Sequence, residues 1–163
     1  MNIKSDPFDI MQDTNNKEIV VWDNAYTTGI PLIDEQHREL VSLTNQLYQA
    51  CLTGTNDVGP AFKTSMARMV EYVRFHFTAE LEILERVKFP AYADHKMQHD
   101  SLVKNILDAA KDFNTGKKFV PNTFVRTLKD WVFGHIAVSD KQYALYIAGQ
   151  KRRGLLTDKQ ITG

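Results

Sequence analysis

The sequence predicts an all-α protein, an antiparallel up-down-up-down four-helix bundle with an extended N-terminal arm. Three observations lead there. Four long stretches place apolar residues three and four apart, the period of a helix with one buried face. The breaks between them are short and carry Gly, Asn or Pro: GTNDVG at 54–59, Phe89-Pro90, and NTGKK at 114–118. No segment alternates apolar and polar residues as a half-buried strand would.

Residues 1–18 are polar and without sustained period, and read as a flexible N-terminal tail. The bundle domain is expected over 19–148. The charged, Gly-containing segment 149–163 is expected as a frayed C-terminal tail. In VVWDNAYTTGIPLIDEQH, Trp22 and Tyr26 precede any helical rhythm, so this stretch is expected to lie as an arm across the bundle. Pro31 suits a first helical turn. From there to Leu52 the core stripe is Ile33, His37, Leu40, Thr44, Leu47 and Cys51. Asp34 and Glu35 fall in that first turn, where the helix dipole favours negative charge. The second helix, opened by Pro60, buries Phe62, Met66, Met69, Val73, His76, Glu80, Ile83 and Val87. After Pro90 the third gives His95, His99, Leu102, Ile106, Ala109 and Phe113. The fourth starts near Pro121 with Phe124, Leu128, Trp131 and His135, and then the rhythm slips. Its next inward residues are Asp140, Tyr143 and Ile147, which demands a step of five. Five residues turn a regular helix about 140° off its face, so the helix must break, tighten or bulge between His135 and Asp140.

Bulk properties exclude several classes. The 163 residues suffice for one sizeable core. Lys plus Arg and Asp plus Glu both number 20, so no basic excess points to nucleic acid or an anionic membrane surface. Cys51 is the single cysteine, which rules out an internal disulfide and a thiolate-rich metal site. The opening MNIKSDPFDIMQDTNNK lacks the apolar centre of a signal peptide, and no apolar run approaches the ~20 residues of a membrane span. A soluble protein of a reducing cytoplasm is the expectation.

Chemistry concentrates between His76 and His99. His76-x-x-x-Glu80 and His95-x-x-x-His99 each put two ligand atoms on one helical face. Any one pair is ordinary. Taken together, all five histidines fall on inward stripes, joined by Glu80 and, where the phase slips, by Asp140. Seven ionisable groups in one core without a cation would carry a heavy desolvation cost. A bound metal turns their lone pairs into bonds and offsets the negative charge. Mixed imidazole and carboxylate donors suit iron, zinc or manganese. Seven ligands exceed one tetrahedral zinc, so two metal ions bridged by the carboxylates are the economical reading.

The pattern Trp22-x-x-x-Tyr26-x-x-Gly29-Ile30-x-x-Ile33-Asp34-x-Gln36-His37, then His76-x-x-x-Glu80, Pro90, His95-x-x-x-His99 and Trp131-x-x-x-His135-x-x-x-x-Asp140, resembles the hemerythrin family in its short bacterial single-domain form, over about residues 20–148. The resemblance implies a non-heme di-iron centre: one iron on His95, His99 and His135, the other on His37 and His76, with Glu80, Asp140 and an oxo or hydroxo group bridging. It further implies reversible binding of dioxygen as hydroperoxide at the open two-histidine iron, without catalytic turnover, for oxygen storage, transport or delivery. An apolar wall should exclude water; Val132, Phe77 and Trp131 are its candidates as an oxygen pocket, with Val132 standing where the family leads one to expect leucine. Gln36, Asp34 and Tyr143 are candidate supporting or capping groups. The implied partners are dioxygen and an oxygen-consuming enzyme, with neither nucleic acid nor membrane, in a monomer or weak homo-oligomer.

Two other functions compete. An oxygen, nitric oxide or redox sensor, or an iron-handling module, would act through a separate protein. A di-iron oxidase would call for a carboxylate-rich site with Glu-x-x-His spacing. Five histidines against two carboxylates, at a spacing of four, argue against the oxidase.

Overall fold

The structure, a computed structural model, describes residues 17–52, 59–115 and 120–163. The expected tail up to residue 16, most of the 54–59 turn and residues 116–118 of the NTGKK exit lie outside the described residues. Four rods form the bundle: α1 (Pro31–Leu52), α2 (Pro60–Arg86), α3 (Tyr92–Asn114), and a fourth in which α4 (Pro121–Gly134) passes through a π-helical turn (His135–Asp140) into α5 (Lys141–Arg152). A short α6 (Asp158–Thr162) follows. Proline opens three rods, since its fixed φ suits a first turn and its missing N–H would be unpaired there anyway. α1 packs on α2 and α4, and α2 on α3.

The slip in the fourth rod is resolved by a bulge rather than a break. Bonding from i to i+5 winds the chain fewer degrees per residue, so five residues complete about one turn. His135 and Asp140 therefore both face inward and are buried.

The arm crosses the bundle as expected, held by side chains of α1. Asn45 accepts from Ile19 N and Val20 N and donates to Val20 O. Arg38 lies over Trp22, and Tyr26 packs on Phe133 at 4.9 Å between ring centres. Gly29, at φ +80, turns the chain into α1 in a conformation other residues rarely adopt. Asp34 is buried and accepts from Thr28 N, Thr28 Oγ1 and Gly29 N at 2.6–3.1 Å. Its carboxylate thus caps the turn before α1 in addition to meeting the dipole.

Three expectations are corrected. On α4 the buried residues are Val125, Leu128 and Val132, whereas Phe124 and Trp131 are half-buried. Leu128 and His135 stay inward as expected, so the face is turned by only about half of the roughly 100° step between successive residues. The wide rings sit on the flank, where Trp131 lies flat over His135 at 4.8 Å and 7° between planes. Second, α2 ends at Arg86, three residues before Phe89. Lys88 takes a left-handed φ of 53, Lys88 N bonds Glu85 O and Phe89 N bonds Leu84 O, a C-terminal wrap that occupies the residues up to Pro90. Third, the segment after residue 148 is not frayed. α5 continues to Arg152 and ends in the same wrap at Gly154. Thr157 and Gln160 then form a capping box, Ile161 is buried, and Arg86 Nη1 donates to Ile161 O at 2.8 Å.

The core is layered. One apolar cluster contains Leu40, Phe77, Leu102, Val132 and Ile136; a second contains Ile33, Ile83, Phe89, Tyr143 and Ile161. His37 falls between Ile33 and Leu40 on α1, Glu80 between Phe77 and Ile83 on α2, and Asp140 between Ile136 and Tyr143. A single polar layer is clamped between two hydrocarbon ones.

Candidate metal centre

All seven ligand candidates meet in that layer, and all are buried. Helical spacing brings the pairs together: His76 and Glu80 on α2, His95 and His99 on α3, each four residues apart. Glu80, His95, His99, His135 and Asp140 place one ligand atom each within 4.8 Å of one another, and His37, His76 and Glu80 do the same. Glu80 belongs to both groups. Its Oε2 stands 3.2 Å from His99 Nε2, 3.5 Å from His95 Nε2 and 3.8 Å from His76 Nε2. Asp140 divides its oxygens: Oδ1 lies 3.0 Å from His135 Nε2 and 3.6 Å from His95 Nε2, and Oδ2 lies 3.2 Å from His37 Nε2. Geometry alone therefore sorts the histidines into three (His95, His99, His135) and two (His37, His76), with a carboxylate reaching each way.

The residues fit a bound cation. His37 Nε2, His95 Nε2 and both oxygens of Glu80 and of Asp140 are buried without a hydrogen-bond partner. Buried polar atoms are normally paired, so six unsatisfied atoms converging on one layer call for something to bond them. His99 Nε2 and His135 Nε2 face each other at 2.9 Å. Two nitrogens bound at right angles to one ion at about 2.1 Å stand about 3 Å apart, the same bite.

Electrostatics without a cation is unbalanced. Burial pushes the His76 pKa down to about 4, against the pull of Glu80. His99 is also lowered by burial. At His37 burial acts in the same direction, but Asp140 and Glu80 outweigh it and raise the pKa; Glu80 does this for His95. Glu80 is held well below the usual carboxylate range, where His95 and His99 overcome burial. Asp140 is lowered too, His135 and His37 prevailing over burial and Glu80. Burial beside Glu80 and Asp140 drives the fully buried Tyr143 hydroxyl well above its usual value.

Three of the outward ring nitrogens are held separately, whereas His99 Nδ1 is buried without a hydrogen-bond partner. His76 Nδ1 meets Gln36 Oε1 at 3.0 Å, His135 Nδ1 meets Gln98 Oε1 at 3.0 Å, and His37 Nδ1 lies 3.4 Å from Tyr26 O. Such partners put the proton on Nδ1 and leave the Nε2 lone pair facing the centre. Gln36 has the supporting place expected of it. Gln98 and Ser139 were not foreseen, although a signal existed: each glutamine directly precedes a histidine of the cluster. Phe77 stacks on His99 at 3.6 Å and also touches His76, so it borders both halves. Trp131 covers His135, and Val132 is buried in the same apolar cluster as Phe77.

A helical bundle with a buried layer of five imidazoles and two shared carboxylates defines a cation-binding protein of the histidine-rich kind. This chain belongs to the hemerythrin HHE cation-binding domain family, whose match covers residues 28–146. Among its relatives is the bacteriohemerythrin of Methylococcus capsulatus, 28% identical over 77% of this chain and 94% of that one. The bacteriohemerythrin of Stenotrophomonas maltophilia is 29% identical over 77% and 80%, respectively. A hemerythrin-like protein of Naegleria gruberi is 28% identical over 75% and 88%. The crystal structure of a wild-type hemerythrin superimposes with a TM-score of 0.71, at 28% identity, over 77% of this chain and 95% of that one. No helix among the described residues is long and apolar enough to cross a membrane.

Proposed function

We propose that the chain is a non-heme di-iron protein that binds dioxygen reversibly, for storage, transport or delivery, without catalytic turnover. The observation that carries this reading is the split of the buried donors into three and two histidines around carboxylates that reach both ways. His95, His99 and His135 would hold one ion, His37 and His76 the other, and Glu80 and Asp140 both. The two-histidine position has fewer protein donors, so an exogenous ligand would enter there. Iron held there in the ferrous state would supply the electrons needed to hold dioxygen. The chain's own task is to keep the layer dry. The apolar clusters on either side exclude water and anions that would displace the bound gas. Histidine-rich, carboxylate-poor donors stabilise highly oxidised iron less than the four-glutamate sites of di-iron oxidases, which favours binding over oxygen cleavage.

The test is a visible spectrum of the reduced, iron-loaded protein as oxygen is added and then removed. A charge-transfer band that appears and disappears with oxygen supports the reading. Irreversible oxidation with substrate turnover would make the protein an oxidase, and a purified protein that holds zinc and takes up no iron would end the proposal.

Phe77 and Val132 are the residues best placed to wall the pocket; Trp131 acts on the His135 side. Val132→Leu should slow autoxidation of the oxygenated protein, because the added methylene fills space that solvent would use. Overpacking is expected to cost about 1–3 kcal/mol of stability. Decay of the oxygenated spectrum in the two proteins checks this, and equal rates would remove Val132 from the pocket.

A further inference from the structure

The dipeptide Gln-His occurs twice, as Gln36-His37 on α1 and Gln98-His99 on α3. In both, the glutamine serves a histidine of another rod and not its own neighbour: Gln36 reaches His76 on α2, Gln98 reaches His135 at the start of the π turn. The two differ in one respect. Gln36 is buried, whereas Gln98 is exposed, and its Oε1 also accepts from Ser139 Oγ at 2.7 Å. An amide oxygen has two lone pairs, and here both are used.

We propose that Gln98 is a positioning residue for the three-histidine metal position, fixing with one oxygen both the His135 ring and the π turn that carries Asp140. Gln36 does the corresponding task for the two-histidine position alone. The inference rests on the reading of the layer as two metal positions. It has a direct physical basis. A histidine that gives Nε2 to a metal carries its proton on Nδ1, and an acceptor there orients the ring and raises its basicity. His135 and Asp140 reach one place only because the backbone between them winds as a π turn, an uncommon conformation that needs an anchor. Ser139 lies within that turn, so the Gln98–Ser139 bond ties it to α3. Each metal position thus has its own amide partner, on different rods.

Chelator challenge of the zinc-loaded protein tests this, with release of the two ions followed separately and melting of the metal-free protein recorded alongside. Gln98→Leu should speed release of one ion about 10- to 100-fold and leave the other unchanged. Gln36→Leu should speed the other. Ser139→Ala should give a smaller acceleration in the Gln98 phase, and Gln98→Glu, which keeps an acceptor, should restore slow release. Gln98 is exposed and its ties are confined to the π turn, so metal-free Gln98→Leu should melt no lower than metal-free Ser139→Ala, which loses part of the same tie; a larger fall would mark a general structural role and overturn the proposal. Release unchanged in Gln98→Leu, or both phases altered alike, would also overturn it. Uptake of fewer than two zinc ions by the native chain would defeat the two-position reading and this inference together, whereas two ions with an inert Gln98→Leu would defeat the inference alone.

Discussion

Glu80→Ala should empty both metal positions at once, whereas His99→Ala and His76→Ala should each weaken one. Glu80 is the residue common to both donor groups, and its Oε2 approaches histidines of both. A metal that binds the folded chain only stabilises it by about 4 kcal/mol when present at a thousandfold over its dissociation constant. For a chain of this size that corresponds to roughly 8–16 °C in melting temperature. The native protein should show a rise of that order on loading, and Glu80→Ala should show almost none. Metal content per chain and melting curves with and without iron or zinc check both statements. Retention of two ions by Glu80→Ala would mean that the carboxylate is not shared.

Acid should destabilise the metal-free protein well before its carboxylates titrate. His76 is the main reason. In the unfolded chain its pKa is ordinary, about 6.5, and burial lowers it to about 4 in the folded one. Between those values the unfolded state binds a proton that the folded state refuses, so stability is full above pH 6.5 and falls as pH drops towards 4. The loss attributable to His76 is about 3 kcal/mol. His99, lowered in the same direction, adds to it. His37 and His95 act with the opposite sign: their raised pKa values contribute stability that is fully present below pH 6.5 and lost as pH rises through their folded values. Glu80 and Asp140, both lowered, hold their contribution down to pH values below the ordinary carboxylate range. Denaturant titrations of metal-free protein at pH 6.5 and 4.5 measure the slope, and His76→Leu should flatten it. An unchanged slope in that variant would assign the acid sensitivity elsewhere. In the loaded protein the same fall in pH should release the ions, since a protonated imidazole has no lone pair to offer.

Much of this molecule is legible from residue order because helical period is local. The stripes of α1 and α2 place His37, His76 and Glu80 inward before any tertiary contact is known, and they are buried together. The step of five between His135 and Asp140 announces an irregular turn for the same reason, although only the backbone reveals that it is a π turn. Reading failed where the outcome depends on what lies across the gap. Phe124 and Trp131 fit the period of α4 as well as Val125 and Val132 do. The choice was made by the neighbouring rods, which leave room for valine at the centre and offer His135 as a surface for the indole. The segment around α6 looked polar and loose because its one fully buried apolar residue, Ile161, gains its partners from α2, α5 and the turn before α1, with Leu156 packed beside it.

By itself, then, the order of residues settled the all-helical bundle, the inward set of five imidazoles and two acids, and the place where one rod must depart from regular winding. Folding in three dimensions decided which histidines lie together, which carboxylate oxygen faces which ring, and which amides meet the outer nitrogens of His76 and His135. The reason is physical. Period and propensity act over a few consecutive residues, whereas a donor set at 3 Å is fixed only when separate rods are pressed together by the hydrocarbon above and below it.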